Sequence, residues 1–260
     1  MTKDKIFGNS IPFLIVLQIL FVSFCDGQNL AKEKNNYFGF QLRPLVPLSV
    51  VGDRPIELNA SNFYSTLSPS LGYSYGGVVR IGFSQLLAIE TGLNYTNRNY
   101  NISYEVPDSS LQGIGDLTYT NFDIPVNFLV YIKLSEKFYM NSSLGLSMIY
   151  YPSNVRTVIN PFGKHQFIFE GRRASFFSLD LNSNIGFEYR TSKMGYFYIG
   201  ASGKIPFSPV LKIASEYRYD TEKNVAFGEI NGFQLALDIK YFFPYVRSKG
   251  SQFKTGPIEQ

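Results

Sequence analysis

After residue 30 the chain alternates apolar and polar residues, and no helical period of useful length interrupts the pattern. A period of two puts successive side chains on opposite faces and predicts half-buried strands. In residues 176–190, Phe177, Leu179, Leu181, Ile185, Phe187 and Tyr189 share one face, opposite Ser178, Asp180, Asn182, Asn184, Gly186 and Glu188. Residues 231–243 set Phe233, Leu235, Leu237, Ile239, Tyr241 and Phe243 against Gln234, Ala236, Asp238 and Lys240. Residues 121–133 and 138–151 repeat the alternation, and noisier strands are expected at 37–50, 69–83, 86–98 and 196–208. The total is eight, an even number.

The connections alternate short and long. Ser84–Gln85, Leu134–Lys137 and Thr191–Gly195 are short, whereas 52–68, 99–117, 152–175 and 209–230 are long. Short turns at one end and long loops at the other are the habit of an outer-membrane barrel. Alternation alone does not tell inside from outside, since a soluble barrel of the lipocalin type puts its apolar face inward. Three features favour the membrane. Strands of 10–14 residues suit a tilted crossing, which takes about 9–11. The apolar faces are nearly free of charge, and a charge facing lipid costs about 2–4 kcal/mol at midplane. Aromatics gather at strand ends: Phe83, Phe138, Tyr189, Phe197, Tyr241 and Phe243 at the short-turn end, Tyr95, Tyr150, Phe177, Phe207 and Phe233 at the other. Such girdles mark the headgroup levels. The expected fold is therefore an all-β, eight-stranded antiparallel transmembrane β-barrel with short periplasmic turns and long extracellular loops. Both termini would be periplasmic.

Composition sharpens this picture. Charged residues are 17% of the 260, and aromatics 17%, from 24 Phe, 19 Tyr and no Trp. One Cys excludes a disulfide framework and a cysteine-clustered metal site, and one His weakens acid–base schemes; no cofactor is expected. Lys3 and Lys5 precede an apolar run over 11–22, which reads as a secretory signal peptide over 1–27. Cys25 raises a lipoprotein reading, but Phe24 stands where that pattern wants a small residue. A short periplasmic segment over 28–36, the barrel over 37–244 and a periplasmic tail over 245–260 complete the division. The net charge of +4 is too small and dispersed for nucleic acid.

Parity assigns a lumen. Glu90, Asp123, Asp180, Glu188 and Asp238 fall inside together with Arg43, Arg80, Lys133, Lys204 and Lys240. An eight-stranded interior is just wide enough for side chains to fill, and buried charges must pair. The expected result is an ion-paired plug; the sharper alternative is a narrow pore. In the third long loop, Arg156, Lys164, Arg172 and Arg173 face Glu170 alone and are candidate contacts for lipopolysaccharide phosphates. His165 with Ser153 or Ser175 would be needed for a lipid-modifying enzyme at the rim, but no spacing links them. Asp108 and Asp116 lack the spacing of a cation loop.

Tyr37–Phe40 (YFGF), Gly76–Phe83 (GGVVRIGF), Leu87–Tyr95 (LAIETGLNY), Asp123–Val126 (DIPV) and Lys240–Phe243 (KYFF) resemble the outer-membrane β-barrel family common in Bacteroidota. The resemblance covers residues 36–244. That family includes members similar to the barrel protein of the gliding and type IX secretion machinery. It implies an integral outer-membrane protein that contacts outer-membrane lipid and, during assembly, the barrel-insertion machinery. The functional expectation is non-enzymatic: loops that dock a partner or surface ligand, in envelope or protein-secretion machinery. A narrow pore, a rim lipid-modifying enzyme and a soluble lipocalin-like binder are the alternatives.

Overall fold

The computed structural model describes residues 36–47, 54–84, 86–160, 163–191 and 193–244. All belong to one unit spanning 35–260. The expected leader with Cys25, the 28–36 segment except Asn36, and the tail over 245–260 lie outside the described residues.

Among the described residues the strands are, in order, β1 (Asn36–Val46), β2 (Ile56–Ala60), β3 (Phe63–Pro69), β4 (Gly72–Gly82), β5 (Leu87–Val106), β6 (Leu111–Lys133), β7 (Phe138–Tyr150), β8 (Val155–Ile159), β9 (His165–Arg173), β10 (Phe177–Thr191), β11 (Gly195–Pro206), β12 (Leu211–Tyr219), β13 (Glu222–Ile230) and β14 (Gln234–Phe242). One ring runs β1–β4–β5–β6–β7–β10–β11–β14 and back to β1, every pairing antiparallel. These are the eight expected strands with shifted bounds. Ring closure pairs every edge, so this part of the sheet offers no template for aggregation.

In the ring the polar face points inward and the apolar face outward. On β6, Phe122, Ile124, Val126, Phe128, Val130 and Ile132 are all exposed, while Asn121, Asp123, Leu129 and Tyr131 are buried. The outward run covers ten residue steps, about 33 Å along the strand. A tilt of about 40° reduces that to a rise of about 25 Å, the height of an outer-membrane apolar band. Aromatic pairs, stacked, tilted or edge-to-face, edge the band at both levels. Phe38, Phe40, Tyr241, Phe243 and Phe197 cluster at the short-turn end. Tyr73, Tyr75, Tyr95 and Phe122 form a chain at the other, continued by Tyr150 against Phe177.

The four long connections are not irregular loops, contrary to expectation. Each is a hairpin: β2–β3, the far halves of β5 and β6, β8–β9, and β12–β13. β3 pairs with far β5 through Leu67↔Ile102. The order β13–β12–β9–β8 forms a separate four-stranded sheet. β8 lies against β6 and β13 against β2, so these hairpins enclose a second interior. That interior is apolar, with Leu58, Phe63, Leu67, Tyr100, Ile102, Leu117, Phe167, Phe169, Leu211 and Ile213 all buried. We call this part the cap.

The polarity reversal is written into single strands. On β5 the inward positions are Glu90, Asn94 and Thr96 in the ring, then Tyr100, Ile102, Tyr104 and Val106 in the cap. Outward positions change in the opposite sense, from exposed Leu87 and Leu93 to Asn101, Ser103 and Glu105. β6 switches at the same level, since Asn97 pairs with Thr120. A strand leaving lipid for water must exchange its faces in this way. Below the level, apolar groups belong outside and polar groups inside; above it, the hydrophobic effect drives the apolar set inward.

Candidate functional site

The ring interior is filled by an ion-paired network. Arg80 on β4 donates to Glu90 on the neighbouring β5 at 2.7 and 3.1 Å, and also to Glu188 on β10. Glu90 accepts in addition from Lys240 on β14. Glu188 accepts from Arg190 at 2.6 Å. Nearer the cap, Lys204 on β11 donates to Asp123 on β6, which also accepts from Asn94 at 3.2 Å. Arg43 on β1 sits 3.3 Å from Asp238 on β14, and Ser202 donates to that carboxylate at 2.9 Å. Asp180 accepts from Ser178 at 3.4 Å. Asn182 donates to Ser147 at 2.6 Å and to Asn127 at 3.2 Å.

Aromatic rings close the short-turn end. The Arg190 guanidinium lies 4.0 Å from the Tyr139 ring centre, 4.7 Å from Tyr131 and 5.3 Å from Tyr196. Arg80 stands 4.0 Å over Phe242. The cavity lined by Arg43, Glu90, Asn127, Lys204, Asp238 and Lys240 has a volume of about 30 Å³. That holds about one or two waters and no hydrated ion file.

Lys133 requires a correction. It was expected in the lumen, but it is exposed at the end of β6, two residues beyond Tyr131. Past the aromatic floor its long stem reaches water, so no partner is needed. Arg190, which sequence reasoning missed, joins Arg80 as a second base on Glu188. Its signal was available: it lies two residues from Glu188, on the same face of β10. The other nine expected lumen residues are buried inside the ring.

The cap joins the ring through specific contacts. Arg98 on β5 donates to the carbonyls of Gly232 at 2.7 Å and Phe233 at 2.9 Å, strapping the entry of β14 to the level where polarity reverses. Arg173 donates to the carbonyls of Pro152 at 2.5 Å and Tyr151 at 3.3 Å, with its guanidinium 3.8 Å from the Phe176 ring centre. At the seams, a Cβ on Gly115 would stand 2.3 Å from an Ile159 methyl, and one on Gly228 2.5 Å from a Leu58 methyl. The absence of side chains there lets β8 close on β6 and β13 on β2. Inside the cap, burial pushes the Tyr104 hydroxyl up to about 12, against a smaller opposing effect of the Ser215 and Ser65 hydroxyls. On the outer face, burial raises the Glu216 carboxyl, but hydrogen bonds from Arg218 and Lys223 outweigh it and hold the group below its ordinary value.

The four expected lipid-phosphate contacts are not brought together. Arg156 and Arg172 flank Glu170 at 3.4 and 3.7 Å on the outer face. Lys164 pairs with Asp220 at 2.8 Å at the distal end, and Arg173 is committed to the base as described. His165 stacks 4.4 Å from Tyr219, and its Nδ1 lies 2.8 Å from the Tyr217 hydroxyl. The whole of β9 separates it from Ser175, about 30 Å along the strand. Ser175 instead accepts from the Phe177 amide at 3.3 Å. The structure therefore does not bring His165 and Ser175 together. Asp108 lies in the 3-10 turn between β5 and β6, and among the described residues no cluster of three metal-ligating groups occurs.

A family model described as outer membrane protein beta-barrel domain matches residues 38–221. No curated protein matches the sequence. Among solved structures, the chain is similar to the outer membrane protein OprG from Pseudomonas aeruginosa, with 10% identity, a TM-score of 0.47, and coverage of 82% of this chain and 98% of that one. It is also similar to the outer membrane protease OmpT from Escherichia coli, with 8% identity, a TM-score of 0.40, and coverage of 83% and 99%.

Proposed function

The chain belongs to the outer membrane protein β-barrel domain family, and from that membership we propose a non-enzymatic, non-conducting barrel whose cap is a rigid docking surface outside the cell. The short turns then face the periplasm, with both termini, and the cap faces outward. The observation that carries this reading is the cap itself. Its hairpins bury an apolar core above an ion-paired lumen, which costs the chain an open path and provides a surface held in one shape. Loops used only to connect strands need no such core. The resemblance to Bacteroidota barrels supports a partner in envelope or protein-secretion machinery.

Two measurements test this. The purified full chain in planar bilayers should give no channel steps; conductance by the intact protein would replace docking with a narrow pore. A photo-crosslinking residue in place of Phe227, 78% exposed, or Ile114, 80% exposed, should trap a defined envelope protein in living cells. The same residue at lipid-facing Phe128 should not, and equal trapping at all three positions would defeat the docking reading.

A further inference from the structure

We propose that the membrane-proximal outer rows of the β8–β9–β12–β13 sheet bind the phosphate of an outer-leaflet lipid, through Arg172, Lys212 and Arg156. The first argument is height. Phe176 and Phe207, 55% and 65% exposed, stand at the cap end of the apolar band. Arg172 lies four residues before Phe176, and Lys212 five after Phe207. At most about 17 Å of chain therefore separates each cation from the aromatic level. Arg172 and Lys212 are register partners, so the two cations sit side by side. Arg156 occupies the next row, paired in register with Glu170.

The second argument is charge. Glu170 is shared between Arg156 at 3.4 Å and Arg172 at 3.7 Å, and neither contact is a close two-point pairing. Lys212 makes no ion pair among the described residues, although Glu229 is its register partner. Guanidinium groups left with unfilled donors are suited to phosphate oxygens. The far end of the cap mixes the signs: Glu105, Asp108, Asp220 and Glu222 are exposed there beside Lys164, Arg218 and Lys223, and Lys164 and Lys223 are held in ion pairs with Asp220 and Glu216. The cluster of Arg156, Arg172 and Lys212 toward the bilayer is complementary to an anionic lipid surface. The third argument is preorganisation. The Arg173 contacts to Tyr151, Pro152 and Phe176 pin the end of β9, so its neighbour Arg172 is held outward before any ligand arrives. Lipid-facing Leu179 and Ile205 lie two residues below Phe177 and Phe207 and would receive the acyl chains.

This inference rests on the outward orientation of the cap but not on a protein partner. The test is binding of bisphosphorylated lipid A, and of the same lipid with its phosphates removed, to the full chain in neutral detergent micelles. The phosphorylated form should bind more tightly, and the R172A/K212A variant should lose about 30-fold of that affinity, each basic residue at an anionic lipid surface contributing about fivefold. The K164A/K223A variant removes the same charge from the distal end and should bind as the parent does. Retention of the heat-dependent gel shift shows that both variants are folded. Equal binding of the two lipids overturns the proposal. So does an equal loss in both variants, which would mean only a general charge effect. Displacement of the lipid by inorganic phosphate at equal concentration overturns it as well. Because binding is read in micelles, it stands or falls separately from the crosslinking of a partner.

Discussion

Glu90 shows what a single residue does in this lumen. It is buried and accepts from both Arg80 and Lys240, each from a neighbouring or facing strand. Glu90→Gln leaves Lys240 beside a neutral amide with no other carboxylate contact among the described residues. Removing one member of a buried pair costs about 3–5 kcal/mol. Denaturant unfolding in detergent should register that loss, with the heat-dependent gel shift moving to a lower temperature. Lys133→Gln, on the lumen-facing parity of β6 but in water, should change stability by less than about 0.5 kcal/mol. The inward position of Glu90 is legible from parity alone. Its pairing with Arg80, ten positions away across a short turn, follows from hairpin register, but that with Lys240 does not, because Lys240 lies 150 positions away and meets it only across the closed ring. Parity also misplaces Lys133, since the alternation continues past the point where the wall ends.

At the scale of the element, the hairpins above the band behave as a small soluble β structure. Phe167 on β9 is fully buried and stacks 4.4 Å from Tyr104 on β5 and 5.1 Å from Tyr217 on β12. It thus joins the two sheets of the cap. Phe167→Ala should cost about 3–5 kcal/mol of cap stability. Limited proteolysis should then cut around residues 160–164, while the ring keeps its gel shift. If the gel shift vanishes with the cap, the two parts fold as one cooperative unit and this separation is wrong. The sequence did contain the cap strands. Phe167 and Phe169 alternate, as do Leu211, Ile213 and Tyr217, but the runs are nine residues or shorter and carry charge on their other face. A search for long, charge-free lipid faces passes over them.

The whole molecule is organised by one level, at which every through-going strand exchanges its faces. Phe128 and Gln112 share a face of β6, sixteen positions apart, one in the band and one in the cap. Phe128→Arg places a charge against lipid near midplane and should cost about 2–4 kcal/mol. Gln112→Arg, exposed to water, should be close to neutral. Unfolding of both variants from bilayers measures the difference. Equal costs would mean that the exchange of faces does not mark the water boundary. The same level locates the Arg98 strap and the aromatic chain from Tyr73 to Phe122, with the paired cations Arg172 and Lys212 above it on the cap.

The sequence alone makes legible the eight ring strands, their short turns and the sense of the barrel. Each of these depends on neighbours along the chain, through a period of two and a charge-free face. It could not determine that the long connections form a second interior. That core is built from residues such as Leu58, Tyr104, Phe167 and Ile213, which lie on four different hairpins and share no local pattern. Nor could it choose Arg190 over Lys133, because that choice depends on where the wall stops. Distance in the folded barrel settles it: a charge pairs when burial leaves it no water, and turns outward when water is within reach.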